Sequence, residues 1–134
     1  MLALSEAGNL GIRRRVVLPF DRSQFRETSV TDRPGDWGRL YDSVLSDVEK
    51  NCDLVIMRMT PGDQAYAAAN HKIIEEALLL GQELQFPVTA VIVWDGKSRG
   101  TQDLTEEFRV SAREKNIPVL EVMTLRKSLG ESDD

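Results

Sequence analysis

Four groups of residues in this chain have types and spacings suited to holding a small ligand. They are Asp21 after a short apolar run, Arg58 and Asp63 on either side of Thr60-Pro61-Gly62, Asn70 soon after them, and Trp94-Asp95-Gly96 with Gly100-Thr101. An indole at Trp94 can stack on a planar ring, and a carboxylate at Asp95 or Asp63 can accept from a pair of ribose hydroxyls. Arg58 can face an anion through its rigid fork of donors. Backbone amides at Gly100-Thr101 can hold a phosphate, because unpaired N–H groups and the helix dipole converge where a helix opens. Each residue also has a plainer role. Asp63 suits a helix cap, Asp95-Gly96 a turn, and Trp94 a core side chain closing the sheet edge. Arg58 can snorkel to water, and Gly100-Thr101 lacks the full glycine-rich dinucleotide pattern.

Reactive side chains are few. Glu106 and Asp103 are the carboxylates that could attack an anomeric carbon, yet both are also natural first-turn acids at a helix N-terminus. Cys52 is the single cysteine, so no internal disulfide is possible, and it reads as a half-buried structural thiol. The lone His71 has no cysteine or histidine nearby, which leaves no metal-ligand spacing, and no cofactor is expected. These features lean away from an enzyme.

Charge and composition narrow the partners. A net charge of −5 argues against nucleic acid, because phosphate binding needs clustered Lys and Arg. Arg13-Arg14-Arg15 is the one basic cluster and reads as a solvated lead-in to a strand. No apolar run approaches the roughly 20 residues that span a bilayer, and the first residues lack the order of a signal peptide. A cytoplasmic protein without a membrane partner is expected.

The elements that must position these groups alternate. Residues 2–7 suit one short helical turn before Gly8-Asn9, and residues 15–20 suit a strand ended by Pro19. Asp21 or Ser23 can cap a short helix over residues 24–28. Asp36 is placed to cap a helix in which Trp37, Leu40, Tyr41, Val44, Leu45 and Val48 share one face. Residues 53–59 predict a second strand, and Asp63 opens the longest helix, about residues 64–85, with Tyr66, Ile73, Ile74, Ala77, Leu78 and Leu84 as its apolar face. Val88–Trp94 is the third strand and reads as central. Leu104, Phe108 and Ala112 form a narrow stripe on the next helix, Asn116 lies near its end, and residues 117–123 form the last strand. Four strands alternating with helices imply a small parallel sheet of about four strands with helices on both faces, a Rossmann/flavodoxin-like three-layer α/β sandwich. The whole chain, 1–134, is expected to be one domain, with 1–12 as lead-in and 125–134 as a frayed tail.

Several segments together resemble a bacterial family. VVLPFDRSQFRETSV, the DRPGDW lead-in to a helix, PGDQAYAAAN, and VIVWDG followed by RGT are similar, from about Val16 to Met123, to a Rossmann-like domain. That domain is found near the C-terminus of tetratricopeptide-repeat and cyclase-associated proteins, and is akin to SLOG and nucleoside deoxyribosyltransferase-like folds. Here Gln64 stands where a second carboxylate is often seen, and the loop after Gly96 is poorer in glycine.

The resemblance implies a Rossmann-like fold and a nucleotide-like ligand at the carboxyl ends of the strands. The expected function is therefore a nucleotide- or nucleoside-binding regulatory or sensor domain. Its ligand set would be Asp21, Arg58, Asp63, Asn70, Trp94, Asp95, Gly96, Gly100 and Thr101. An interaction or oligomerisation module with a vestigial pocket is the first alternative, as a homodimer or part of a larger tetratricopeptide-repeat protein. A glycosidic-bond enzyme acting on nucleosides or NAD is the second.

Overall fold

A computed structural model describes residues 1–31, 34–94 and 104–123. The described residues form a mixed α/β structure of five helices and two two-stranded parallel sheets. The chain divides into two compact units, Met1–Ala69 and Asn70–Asp134. No helix among the described residues is long and apolar enough to cross a membrane.

In the first unit, α1 (Leu2–Asn9) precedes β1 (Val16–Leu18), α2 (Arg22–Ser29), α3 (Trp37–Lys50) and β2 (Leu54–Ile56), and α4 (Asp63–Leu84) begins. The periodic face of α3 supplies the core. Tyr41, Val44, Leu45 and Val48 are buried with Leu18 and Val30, and Leu4, Phe25, Trp37 and Leu54 pack around them. Phe20 joins Phe25 and Tyr66 in an aromatic cluster, with ring centroids 5.9 and 5.8 Å away. The Tyr41 hydroxyl donates to the Arg22 carbonyl at 2.8 Å, and its burial pushes its pKa up to about 12. β1 and β2 pair in parallel, Val16 opposite Leu54 and Leu18 opposite Ile56.

Asp53 just before β2 is buried and takes bonds from both Arg13 (3.0 and 3.1 Å) and Arg15 (3.2 Å). Arg14 reaches the Leu4 carbonyl and Asp47. The expectation of a merely solvated triple arginine is thus corrected: Arg13 and Arg15 pin the N-terminal segment to the amino end of the β1–β2 pair through Asp53, and Arg14 ties α1 to α3. Hydrogen bonding from Arg13 holds the Asp53 carboxyl below its ordinary range, with Arg15 adding to the effect.

In the second unit, the rest of α4 is followed by β3 (Ala90–Trp94), α5 (Leu104–Glu114) and β4 (Val119–Met123). β3 and β4 run parallel, Val91 opposite Leu120 and Val93 opposite Val122. Ile74, Ala90, Ala112 and Ile117 are buried together, with Val88, Phe108 and Val119 against them.

Helix ends explain most of the unusual backbone. In α1, the Ile12 N–H bonds to the Ala7 carbonyl across Gly11 (φ +72°). In α3, Asp53 N–H reaches Val48 across Cys52 (φ +60°); in α4, Phe86 N–H reaches Gly81 across Gln85 (φ +58°). In α5, Ile117 N–H reaches Ala112 across Asn116 (φ +59°). This six-to-one bond over a left-handed residue is the Schellman ending, which satisfies otherwise orphaned carbonyls.

Several expectations need correction. Asp36 occupies the cap position of α3 but makes no capping bond, because its carboxylate leans toward Arg39 at 3.6 Å. Asp21 does cap, accepting from the Gln24 N–H at 2.9 Å. Cys52 is exposed rather than half-buried, since the helix ending turns it outward. The regular part of β2 is three residues long and stops before Arg58. The broad apolar face expected on α4 is thinner, because Ile73, Leu78 and Leu84 are exposed while Ala65, Ala69 and Ile74 are buried.

Candidate functional site

The β1 and β2 strands end side by side because they are parallel and in register, so whatever follows each strand is delivered to one edge. After β1 come Pro19, the buried Phe20 and Asp21; after β2 come Met57, Arg58 and Met59. The Met57 N–H bonds to the Leu18 carbonyl and the Met59 N–H to the Pro19 carbonyl, both at 2.9 Å. Arg58 lies between these two bonded residues with φ +54°. Among the described non-glycine residues with positive φ, it alone stands outside a helix ending. A bulky side chain there is strained by an amount of order 1 kcal/mol, and the flanking bonds hold it in place.

A cavity of about 410 Å³ opens at this edge, lined by Phe20, Asp21, Gln24, Ile56, Arg58 and Met59. Apolar walls come from Phe20, Ile56 and Met59, and three polar groups converge: a carboxylate, a carboxamide and a guanidinium. One oxygen of Asp21 is spent on the Gln24 amide, leaving the other for a ligand. Arg58 is exposed and has no side-chain hydrogen bond or ion pair among the described residues. That distinguishes it from Arg13, Arg14, Arg15, Arg22 and Arg26, each of which has a carboxylate partner. A concave apolar site with a few convergent polar groups at strand carboxyl ends is the usual geometry of small-molecule sites in α/β proteins.

No family model matches the chain, and neither does a curated protein or a solved structure.

Of the ligand residues expected from sequence, Asp21 and Arg58 come together in this cavity. Asp63 is exposed in the first turn of α4 and does not line it. Asn70 donates its side-chain N–H to the Leu104 carbonyl at 3.0 Å, tying α4 to the start of α5, and borders a separate cavity of about 260 Å³ with Val91, Val93, Thr105 and Phe108. Trp94 is the last residue of β3; Asp95, Gly96, Gly100, Thr101 and Asp103 lie outside the described residues. Glu106 is hydrogen-bonded to Arg109 one turn on, so its carboxylate is already engaged. His71 is exposed, 3.8 Å from Glu107. Among the described residues no group of three or more His, Cys, Asp or Glu side chains is placed to hold a metal.

Gln24, Ile56 and Met59 were not among the expected site residues. A signal for Gln24 exists: Asp21-Arg22-Ser23-Gln24 has capping-box spacing, which ties the fourth residue to the first turn beside the cap. Ile56 and Met59 carry no such mark, because which strand residues border a cavity depends on where β2 loses its regular pleat.

Proposed function

We propose that the chain is a Rossmann-like domain that binds a nucleotide- or nucleoside-type ligand and serves as a regulatory or sensor module. The observation that carries this reading is the cavity at the carboxyl ends of β1 and β2, which pairs Asp21 with the uncompensated Arg58. Asp21 offers a free carboxylate oxygen to a hydroxyl, Arg58 offers donors to an anionic group, and Ile56 with Met59 offers apolar contact to a flat ring. Parallel pairing in both sheets and the segment resemblance from about Val16 to Met123 support the finer proposal of a four-strand Rossmann/flavodoxin-like sandwich of the SLOG or deoxyribosyltransferase-like kind.

Thermal denaturation with nucleosides, nucleotides, NAD and ADP-ribose tests the reading. A ligand at a hundred times its Kd adds about 2.7 kcal/mol to stability, readily seen as a rise in Tm. A well-folded sample that no member of the panel stabilises would sink it.

One observation favours a second reading, a self-associating module. Val91, Val93, Leu120 and Val122 are exposed on β3 and β4, whereas parallel sheets are ordinarily covered on both faces. Light scattering at micromolar concentration decides it: a dimer supports association, and a monomer removes it.

A further inference from the structure

We infer that the β1–β2 cavity selects a ligand carrying a single phosphate and discriminates against its di- and triphosphate counterparts. The inference rests on the nucleotide-type reading above and deepens it. It stands on the charge inventory of the cavity and on the backbone that presents Arg58.

Among the described residues, the lining contains one cation, Arg58, and one anion, Asp21. Arg58 makes no ion pair among the described residues, so an incoming anion displaces none of them. Its guanidinium fork matches two oxygens of one phosphate. A second or third phosphate would find no further cation among the described lining residues and would sit in the same cavity as the Asp21 carboxylate. A volume of about 410 Å³ spans less than a Debye length of about 8 Å from centre to wall, so salt would not hide that repulsion. The same volume lies near the lower end for small-molecule sites, which favours a mononucleotide over a dinucleotide.

The backbone gives the second line of argument. The left-handed residues Cys52, Gln85 and Asn116 are accounted for by helix endings, while Arg58 is not. Its strain is held by the Met57 and Met59 bonds to Leu18 and Pro19, which fix the backbone from which its side chain joins the cavity lining. A backbone position fixed before binding need not be ordered when the side chain it carries engages a ligand.

Calorimetric titration of the full chain in metal-free buffer tests the inference, using the four ribonucleosides, their 5′-mono-, di- and triphosphates, and inorganic phosphate. At least one monophosphate is expected to bind ten times or more tighter than its nucleoside, and several times tighter than its di- and triphosphate. Arg58→Asn, whose new side chain tolerates the left-handed backbone, should reduce the monophosphate to the level of the nucleoside. Asp21→Asn should narrow the gap between mono- and diphosphate.

A triphosphate that binds tightest overturns the inference, as does a monophosphate whose affinity is unchanged in Arg58→Asn. Inorganic phosphate binding as tightly as the monophosphate reduces the site to a simple anion contact and also overturns it. Nucleosides that bind as well as their monophosphates remove this inference and leave the nucleotide-type reading standing. Absence of binding by every compound removes both.

Discussion

Single residues in this chain are constrained in ways that their chemical types do not announce. Cys52 looks like a candidate thiol, yet its position is governed by the α3 ending, where a residue at φ +60° must let the Asp53 N–H return to Val48. Glycine occupies such a position without a side-chain penalty. Cys52→Gly is therefore expected to stabilise the fold by about 0.5–1 kcal/mol in urea unfolding. A loss would mean that the thiol makes contacts outweighing the strain. Asp53 makes a contrasting case. Its folded pKa is held below the ordinary 3.8 by Arg13 and then Arg15, so the pairing contributes fully above the ordinary value and disappears as pH falls through the depressed folded one. Acid unfolding should steepen below about pH 4, and Asp53→Asn, less stable at neutral pH, should show a flatter stability curve there. Equal slopes for both proteins between pH 4 and 2 would refute that linkage. Neither role was readable from type alone: the αL position comes from the backbone, and the arginine partners of Asp53 lie 38 and 40 residues away in sequence.

At the level of elements, what could be read in sequence was what a single segment decides for itself. The face of α3 at Trp37, Leu40, Tyr41, Val44, Leu45 and Val48 is found where its period puts it, because one stripe of a helix has one way to face a core. Asp21 caps α2 as its type suggests, while Asp36 does not cap α3 because Arg39 competes for its carboxylate. The wide apolar face expected on α4 failed for a different reason: periodicity shows which residues share a side, not how much neighbouring surface exists to cover them. Two of the six described lining residues were legible in the same sense. Asp21 and Arg58 follow strands that parallel pairing brings together, but the bulge-like backbone at Arg58 was not visible. α1 shows how little apolar burial an element needs when polar contacts hold it. None of its residues is buried, and Arg14, with its side chain only 10% exposed, links the Leu4 carbonyl to Asp47. Arg14→Ala should release α1, raising amide exchange over residues 5–12 by tenfold or more while α3 keeps its protection. Unchanged exchange in α1 would show that Met1 and Leu4 suffice to hold it.

For the molecule as a whole, the distribution of buried side chains predicts unequal stability of its two units. The first encloses Phe20, Tyr41, Leu45 and Val48 almost completely, with Leu18, Val30 and Val44 beside them. The second buries Ile74, Ile92 and Ile117 but otherwise relies on Ala90 and Ala112. A fully buried large apolar side chain contributes about 1.5–3 kcal/mol and an alanine much less, so several kcal/mol separate the two cores. Strand pairing does not restore the balance, because the apolar residues on β3 and β4 at Val91, Val93, Leu120 and Val122 are exposed. Each unit carries one tryptophan, Trp37 in the first and Trp94 in the second. Trp94→Phe leaves fluorescence that reports the first unit, and Trp37→Phe leaves fluorescence that reports the second. Under increasing urea the Trp94 signal should change at a lower midpoint than the Trp37 signal. If a nucleotide binds at Asp21 and Arg58, as proposed, it should raise the Trp37 midpoint by more than the Trp94 midpoint, since binding energy reaches a transition only when the binding unit is the one unfolding. Coincident midpoints that rise together would instead show one cooperative transition across the chain, and the difference in cores would then have no separate thermodynamic expression.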